Sequence, residues 1–219
     1  MKILNLILLL LFFSCAKNDK KTHSNNKHTA SVLKNTEIET FHKLRKLFCV
    51  GDFDGDGKRD TIFQYNFSKL KKEEIINAPD PAKNEWENVI KWFMDQDSDV
   101  YLAFNKKKLD TLHLGTAQGL YCLINIGDNN LDGRDEIALV VDNLDFSNLN
   151  SCKIYSICKG KWLELKQFNI NESAFDIVED AQTTFSNIPD YLEKKDDKWY
   201  YTDNLENEKM QLLKIEKCR

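Results

Sequence analysis

Asp52-Phe53-Asp54-Gly55-Asp56-Gly57-Lys58-Arg59-Asp60 and Asp128-Asn129-Asn130-Leu131-Asp132-Gly133-Arg134-Asp135-Glu136 are two writings of one nine-residue pattern. Each puts an oxygen-bearing side chain at loop positions 1, 3, 5 and 9 and a glycine at position 6. A hard cation that takes six to eight oxygens at roughly 2.3–2.6 Å is served by that spacing, so each loop is read as a calcium loop. The first offers carboxylates from Asp52, Asp54, Asp56 and Asp60 with the carbonyl of Lys58; the second offers Asp128, Asn130, Asp132 and Glu136 with the carbonyl of Arg134. Gly57 and Gly133 permit the turn that aims those carbonyls inward. Without a cation the clustered carboxylates repel one another.

The match runs beyond the ligands. The offset is 128 − 52 = 76 residues, and at that offset Val50-Gly51 corresponds to Ile126-Gly127, and Thr61–Tyr65 to Ile137–Val141. A strand, an acidic loop and a second strand therefore form a duplicated unit. An EF-hand requires a bidentate Glu at position 12 between two helices. Here position 12 is Phe63 or Leu139, and both following segments alternate or run apolar as strands do.

As strand–loop–strand units, these segments resemble the calcium loops of FG-GAP and VCBS-type repeats. The resemblance covers the two loops and their flanking strands. It implies that Asp52, Asp54, Asp56, the Lys58 carbonyl and Asp60 hold one ion, and Asp128, Asn130, Asp132, the Arg134 carbonyl and Glu136 another. The second loop departs from the family at Asn130, which carries no charge, and at Leu131, where the family has Gly, so it is expected to bind more weakly. The fold expected is mainly β with one or two helices, containing two propeller-blade-like units. A closed propeller needs about four or more blades, so a compact sheet or paired-sheet domain is expected instead.

The remaining segments extend this picture. Glu37–Phe48 is either a short helix or the run-in to the first strand. Asn84–Met94 predicts an amphipathic helix with Trp86, Val89, Ile90 and Phe93 on its apolar face. Strands are expected over Val100–Phe104, Thr111–Leu114, Gly119–Ile126, around Ile154 and over Trp162–Phe168. Ile137–Val141, nearly all apolar, is expected to be central in its sheet. Lys159-Gly160-Lys161 marks a hairpin turn, and Trp199–Thr202 with Met210–Ile215 a closing hairpin. Asp95-Gln96-Asp97-Ser98-Asp99 has Val100 where a further calcium loop needs Gly, and reads as a helix end and polar turn.

Residues 1–15 read as an export signal: Lys2 precedes the apolar run Ile3–Phe13, whose eleven residues fall short of the ~20 that span a bilayer. The run closes at Phe12-Phe13-Ser14-Cys15, which resembles the lipobox of bacterial lipoproteins, although the family usually has Leu where Phe12 stands. The resemblance, of the Bacteroidetes type, implies lipid on Cys15 and a place at the outer membrane or the periplasmic face of the envelope. Residues 16–36, polar and almost free of apolar side chains, read as a disordered tether in which His23 and His28 are solvated. Residues 37–219 remain as a single β-rich domain.

Six cysteines are present. Without Cys15 five remain, an odd number, so at least one thiol stays free or pairs between chains. Cys152 and Cys158 pair only if the strand between them breaks, because about 20 Å of straight strand separates them. Otherwise the five read as buried, inert thiols. The net charge of −4 comes with no basic stripe interleaved with aromatics, which excludes nucleic acid as a partner. Beyond the tether only His42 and His113 remain, His113 on a Leu-flanked strand as a structural histidine. No G-x-S-x-G elbow, H-E-x-x-H helix or phosphate-cradling glycine loop is present. The chain therefore reads as a calcium-stabilised envelope lipoprotein acting as a binding or adhesion module for a protein or glycan. Trp86, Trp92, Trp162 and Trp199 supply either contact surface or core packing. The alternatives are a structural or inhibitory lipoprotein and an envelope hydrolase working through scattered acidic residues.

Overall fold

A computed structural model describes residues 38, 40–105, 109–179 and 181–218, with the side chains of 207 and 208 excluded. Cys15, the apolar run and the tether lie outside the described residues. The chain from Thr36 onward forms one compact unit.

Two four-stranded antiparallel meanders follow one another, each in simple sequence order. The first runs β1 (Phe48–Gly51), β2 (Asp60–Ser68), β3 (Ser98–Phe104) and β4 (Leu112–Gly115), with the two-residue strand Glu73–Glu74 added on β2. The second runs β5 (Gly119–Gly127), β6 (Glu136–Asp142), β7 (Leu149–Cys158) and β8 (Lys161–Asn171). In both, the acidic nonapeptide opens in the first hairpin: Gly51 pairs with Asp60, and Gly127 with Glu136. A three-stranded sheet follows, β9 (Leu192–Lys195), β10 (Lys198–Asp203) and β11 (Asn207–Leu212). The fold is mainly β with open sheets, and α1 (Trp86–Asp95) is the α-helix among the described residues.

Burial explains the strand sequences. One core cluster joins Leu47, just before β1, and Ile62, Val100 and Leu102 of the first meander to Leu123, Ile137 and Leu139 of the second. Another joins Ile124, Ala138, Val140 and Ile154, on the opposite face of the second meander, to Leu192, Trp199 and Leu213. Successive residues of a strand point to opposite faces, so Ile137 and Leu139 enter one core while Ala138 and Val140 enter the other. A strand covered on both faces reads as a continuous apolar run, and β6 lies inside its sheet, between β5 and β7, as expected. Each fully buried aliphatic side chain here stabilises the fold by about 1.5–3 kcal/mol.

One open reading is decided, and one expectation is corrected. Of the two readings of Glu37–Phe48, the run-in to the first strand is the one found: Phe41–Lys43 is a short strand paired with Asn77–Pro79, and Phe48 opens β1. Phe41 is exposed, so its spacing with Leu44 and Phe48 marks no helical face. In β2 the large aromatics Phe63, Tyr65 and Phe67 take the half-buried face, while Ile62, Gln64, Asn66 and Ser68 are buried. Gly119 lies close beside Gln64, where an added Cβ would meet its amide nitrogen at 2.8 Å. Finally, β7 runs unbroken between Cys152 and Cys158, with a register shift at Ile154/Tyr155, so these two do not pair; the reading of all five cysteines as inert thiols is corrected by Cys158, which bonds Cys218 with Cα atoms 5.5 Å apart. Cys49, Cys122 and Cys152 are free and buried. Burial pushes the Cys122 thiol up to about 12 and raises Cys49 and Cys152 as well, which keeps them from thiolate chemistry.

Candidate metal centres

The two loops share most of their hydrogen bonds. In the first, Asp52 accepts from the N–H groups of Gly55 (3.0 Å) and Gly57 (2.9 Å). Asp54 Oδ1 accepts from Asp56 N–H at 3.1 Å, and Asp56 Oδ1 from Lys58 N–H at 2.8 Å. In the second, Asp128 accepts from Asp132 (3.0 Å) and Gly133 (2.9 Å). Asn130 Oδ1 accepts from Asp132 N–H at 2.9 Å, and Asp132 Oδ1 from Arg134 N–H at 3.2 Å. Positions 3 and 5 thus fold the turn in both copies by the same local side-chain-to-backbone bonds, and position 1 accepts from position 6 in both, its second donor being position 4 in the first loop and position 5 in the second. Position 4 is left-handed in both: Gly55 at φ 77° and Leu131 at φ 58°. The duplicated turn is imposed even where the glycine is missing, at the strain a non-glycine residue meets there.

Oxygens of Asp52, Asp54 and Asp56 come within 4.8 Å of one another, and so do oxygens of Asp128, Asp132 and Glu136. These are two acidic clusters that could coordinate a metal ion. Asp60, fully buried at the start of β2, stands outside the first triad. Lys58 is exposed in the loop, its ammonium 4.0 Å from Asp56 Oδ2. Asn130 is buried at 5 % exposure, its amide donating to the Glu216 carbonyl at 3.3 Å. The Arg134 guanidinium lies 3.8 Å from Asp132 Oδ1.

The second cluster is the more enclosed. Glu136 is 0 % exposed; Asn129 N–H donates to its Oε2 at 2.8 Å. Its Oε1, like Asp132 Oδ2, is buried with no hydrogen-bond partner among the described residues. Burial pushes the Glu136 carboxyl up to about 8, the Asn129 N–H opposing, and the Asp132 and Asp128 carboxylates add to the rise. A buried carboxylate oxygen without a donor is costly, and a divalent cation between these three groups removes that cost. All of these donors are hard oxygens, which suit Ca²⁺ or Mg²⁺ rather than a thiophilic metal.

Several contacts that seat the loops have no local signal. Phe53, at position 2 of the first loop, is 1 % exposed and packs 6.1 Å from the Phe104 ring. At the equivalent place, Asn129 instead ties the second loop to the carbonyls of Ile126 and Gly127. The chain end lies over the second loop: Lys217 Nζ donates to the Leu131 carbonyl at 2.9 Å, beside the Cys158–Cys218 bond. The loops also touch each other. Asp135 N–H donates to the Asp52 carbonyl at 2.8 Å, and Asp52 N–H donates to Asp135 Oδ2 at 3.0 Å. Asn125 Nδ2 bonds the same Oδ2 at 2.8 Å and the Val50 carbonyl at 2.9 Å.

Elsewhere, His113 Nδ1 lies 2.7 Å from Asp99 Oδ2. Trp199 is buried; Trp162 stacks on Phe104 and donates to the Asp110 carbonyl; Trp86 donates to the Asp145 carbonyl; Trp92 packs edge-on against Phe41 and Phe93. Among the described residues no helix is long and apolar enough to cross a membrane. Comparison with protein-family models, curated proteins and solved structures finds no match for the chain.

Proposed function

We propose that the chain is a calcium-stabilised envelope lipoprotein, held at the membrane by lipid on Cys15, that serves as a binding or adhesion module. The observation that carries the calcium reading is the recurrence of one hydrogen-bonded loop in two places, each gathering three carboxylates, with Glu136 Oε1 buried and undonated in the second. Each loop joins the first two strands of a four-stranded meander, which supports the likeness to FG-GAP and VCBS units. In this reading the ion is structural: carboxylates that repel one another are neutralised, and the two strands leaving each loop are held at a set angle. Lipid on Cys15 rests on the Phe12–Cys15 motif and the apolar run before it. Exposed Phe41 and Phe146 and half-buried Trp92 are surface a protein or glycan can contact.

The test is calorimetric titration of the full chain with Ca²⁺, paired with melting in Ca²⁺ and in EDTA. Binding and a fall in Tm on chelation are expected. No heat and an unchanged Tm at millimolar Ca²⁺ would end the calcium reading. Anchoring is tested separately by Cys15→Ser, which is expected to move the protein from the membrane to the soluble fraction. Continued membrane attachment would reject lipidation.

A further inference from the structure

We infer that the two loops bind their ions as a positively coupled pair, with Asp135 as the residue that couples them; this rests on the calcium reading above. Asp135 sits at position 8 of the second loop, between Arg134, whose N–H bonds Asp132 Oδ1, and Glu136, whose carboxylate is buried in the second cluster. It does not face its own loop. Its N–H and its Oδ2 together hold the backbone of Asp52, position 1 of the first loop, at 2.8 and 3.0 Å. Asp52 in turn folds the first loop by accepting from Gly55 and Gly57. One residue therefore joins the last two ligand positions of one cage to the first of the other.

The turns are also packed together. A Cβ at Gly55 would stand 3.1 Å from the Gly133 carbonyl and 3.1 Å from Arg134 Cγ, so neither loop can shift far without moving its neighbour. Asn130 and Leu131 lead to an expectation of weaker binding in the second loop, yet its buried acceptors give it the stronger demand for a cation, because Glu136 Oε1 and Asp132 Oδ2 are buried without donors. Capture there draws residues 132–136 into one arrangement and fixes the Asp135 grip on Asp52. The first loop then has less ordering left to do when its own ion arrives, and shared ordering of this kind gives positive cooperativity. Repulsion between the ions acts against it, but each ion neutralises its own carboxylates, and salt screens over about 8 Å at physiological strength. Coupling is reciprocal, so a lesion in either cage weakens the other.

The experiment follows the backbone amides of Gly57 and Gly133, one per loop, by NMR while Ca²⁺ is added to the full chain. In the wild type both signals are expected to move over one concentration range with a Hill coefficient above 1. In Glu136→Gln, whose first-loop ligands are intact, the Gly57 midpoint is expected to rise roughly tenfold, within the usual range of site-to-site coupling. In Asp135→Ala both loops keep their ligands, and the two signals are expected to separate. Should Asp135→Ala fail to fold, the Glu136→Gln titration decides. An unchanged Gly57 midpoint in Glu136→Gln, or independent titrations in the wild type, overturns the coupling while leaving calcium binding in place. If neither amide responds to Ca²⁺ in the wild type, the calcium reading has failed along with the coupling.

Discussion

Asp52 and Asp135 hold each other twice, the Asp135 N–H on the Asp52 carbonyl and the Asp52 N–H on Asp135 Oδ2. They are 83 residues apart in the chain, and each lies in a different acidic loop. The pair sets the two acidic turns side by side at the junction of the two meanders. It also leaves no room for a side chain at the adjoining position of β1.

Gly51→Ala tests that junction. An added methyl would stand 2.5 Å from Asp135 Oδ2 and 2.8 Å from Phe53 Cζ, both inside van der Waals contact. A destabilisation of about 1–3 kcal/mol is expected from overpacking of this kind. Chemical denaturation measures it, and wild-type stability in the variant would mean the loops do not approach so closely.

Leu131→Gly is expected to do the opposite. Leu131 is 76 % exposed and sits at φ 58°, so little packing is lost and left-handed strain of about 1–2 kcal/mol is relieved. Part of that gain is offset by the extra freedom of glycine in the unfolded chain, about 0.5–1 kcal/mol. A net stabilisation of up to about 1 kcal/mol should appear in urea melts; a loss would show that Leu131 makes a contact that matters.

Removing the Cys158–Cys218 bond with paired serines is expected to cost about 2–4 kcal/mol, since it closes a loop with a sequence separation of 60. The tail it holds carries the Glu216 carbonyl to Asn130 and Lys217 to Leu131. Hydrogen exchange should therefore quicken in the second loop and much less in the first. Equal quickening in both loops would contradict local tethering.

Asp142 gives a pH dependence. Burial pushes its carboxyl up to about 6, opposed by bonds from Gln118 and Tyr121, while Glu172 adds to the rise. A carboxyl raised on folding binds its proton more tightly in the native state. Its contribution therefore lowers stability as pH climbs from about 4 to about 6 and stays constant above that. Asp142 keeps some contact with solvent, so the effect is about 1–2 kcal/mol. In Asp142→Asn, which retains a carbonyl for Gln118, this part of the pH slope should disappear from urea melts taken between pH 4 and 7. A slope identical to wild type would place the titration elsewhere.

Much of the fold is legible in the sequence because short-range rules govern it. The alternation of β2, the apolar run of β6, the Lys159–Gly160 turn with both residues at positive φ and the amphipathic stretch that becomes α1 all follow from periodicity and turn sterics. The faces of β2 were not legible. Phe63 and Tyr65 look like core, yet Gln64 and Asn66 are the buried pair, because the neighbouring layer presents Gly119 and the Gln118 carbonyl, which takes a bond from the Asn66 amide. The stretch before β1 stays open between helix and strand run-in for a related reason: spacing of three and four residues is also met by a bent, partly paired extended segment.

The two nine-residue patterns by themselves determined where the oxygen-rich turns lie and how positions 1, 3, 5 and 6 fold, since those bonds join residues two to five apart. Only the tertiary structure decided that Asp135 would leave its own loop for Asp52, that Phe53 would plug the core and that Cys158 would choose Cys218. Such contacts form when distant layers stack, and nothing in the local spacing of either partner records which surface the other will meet.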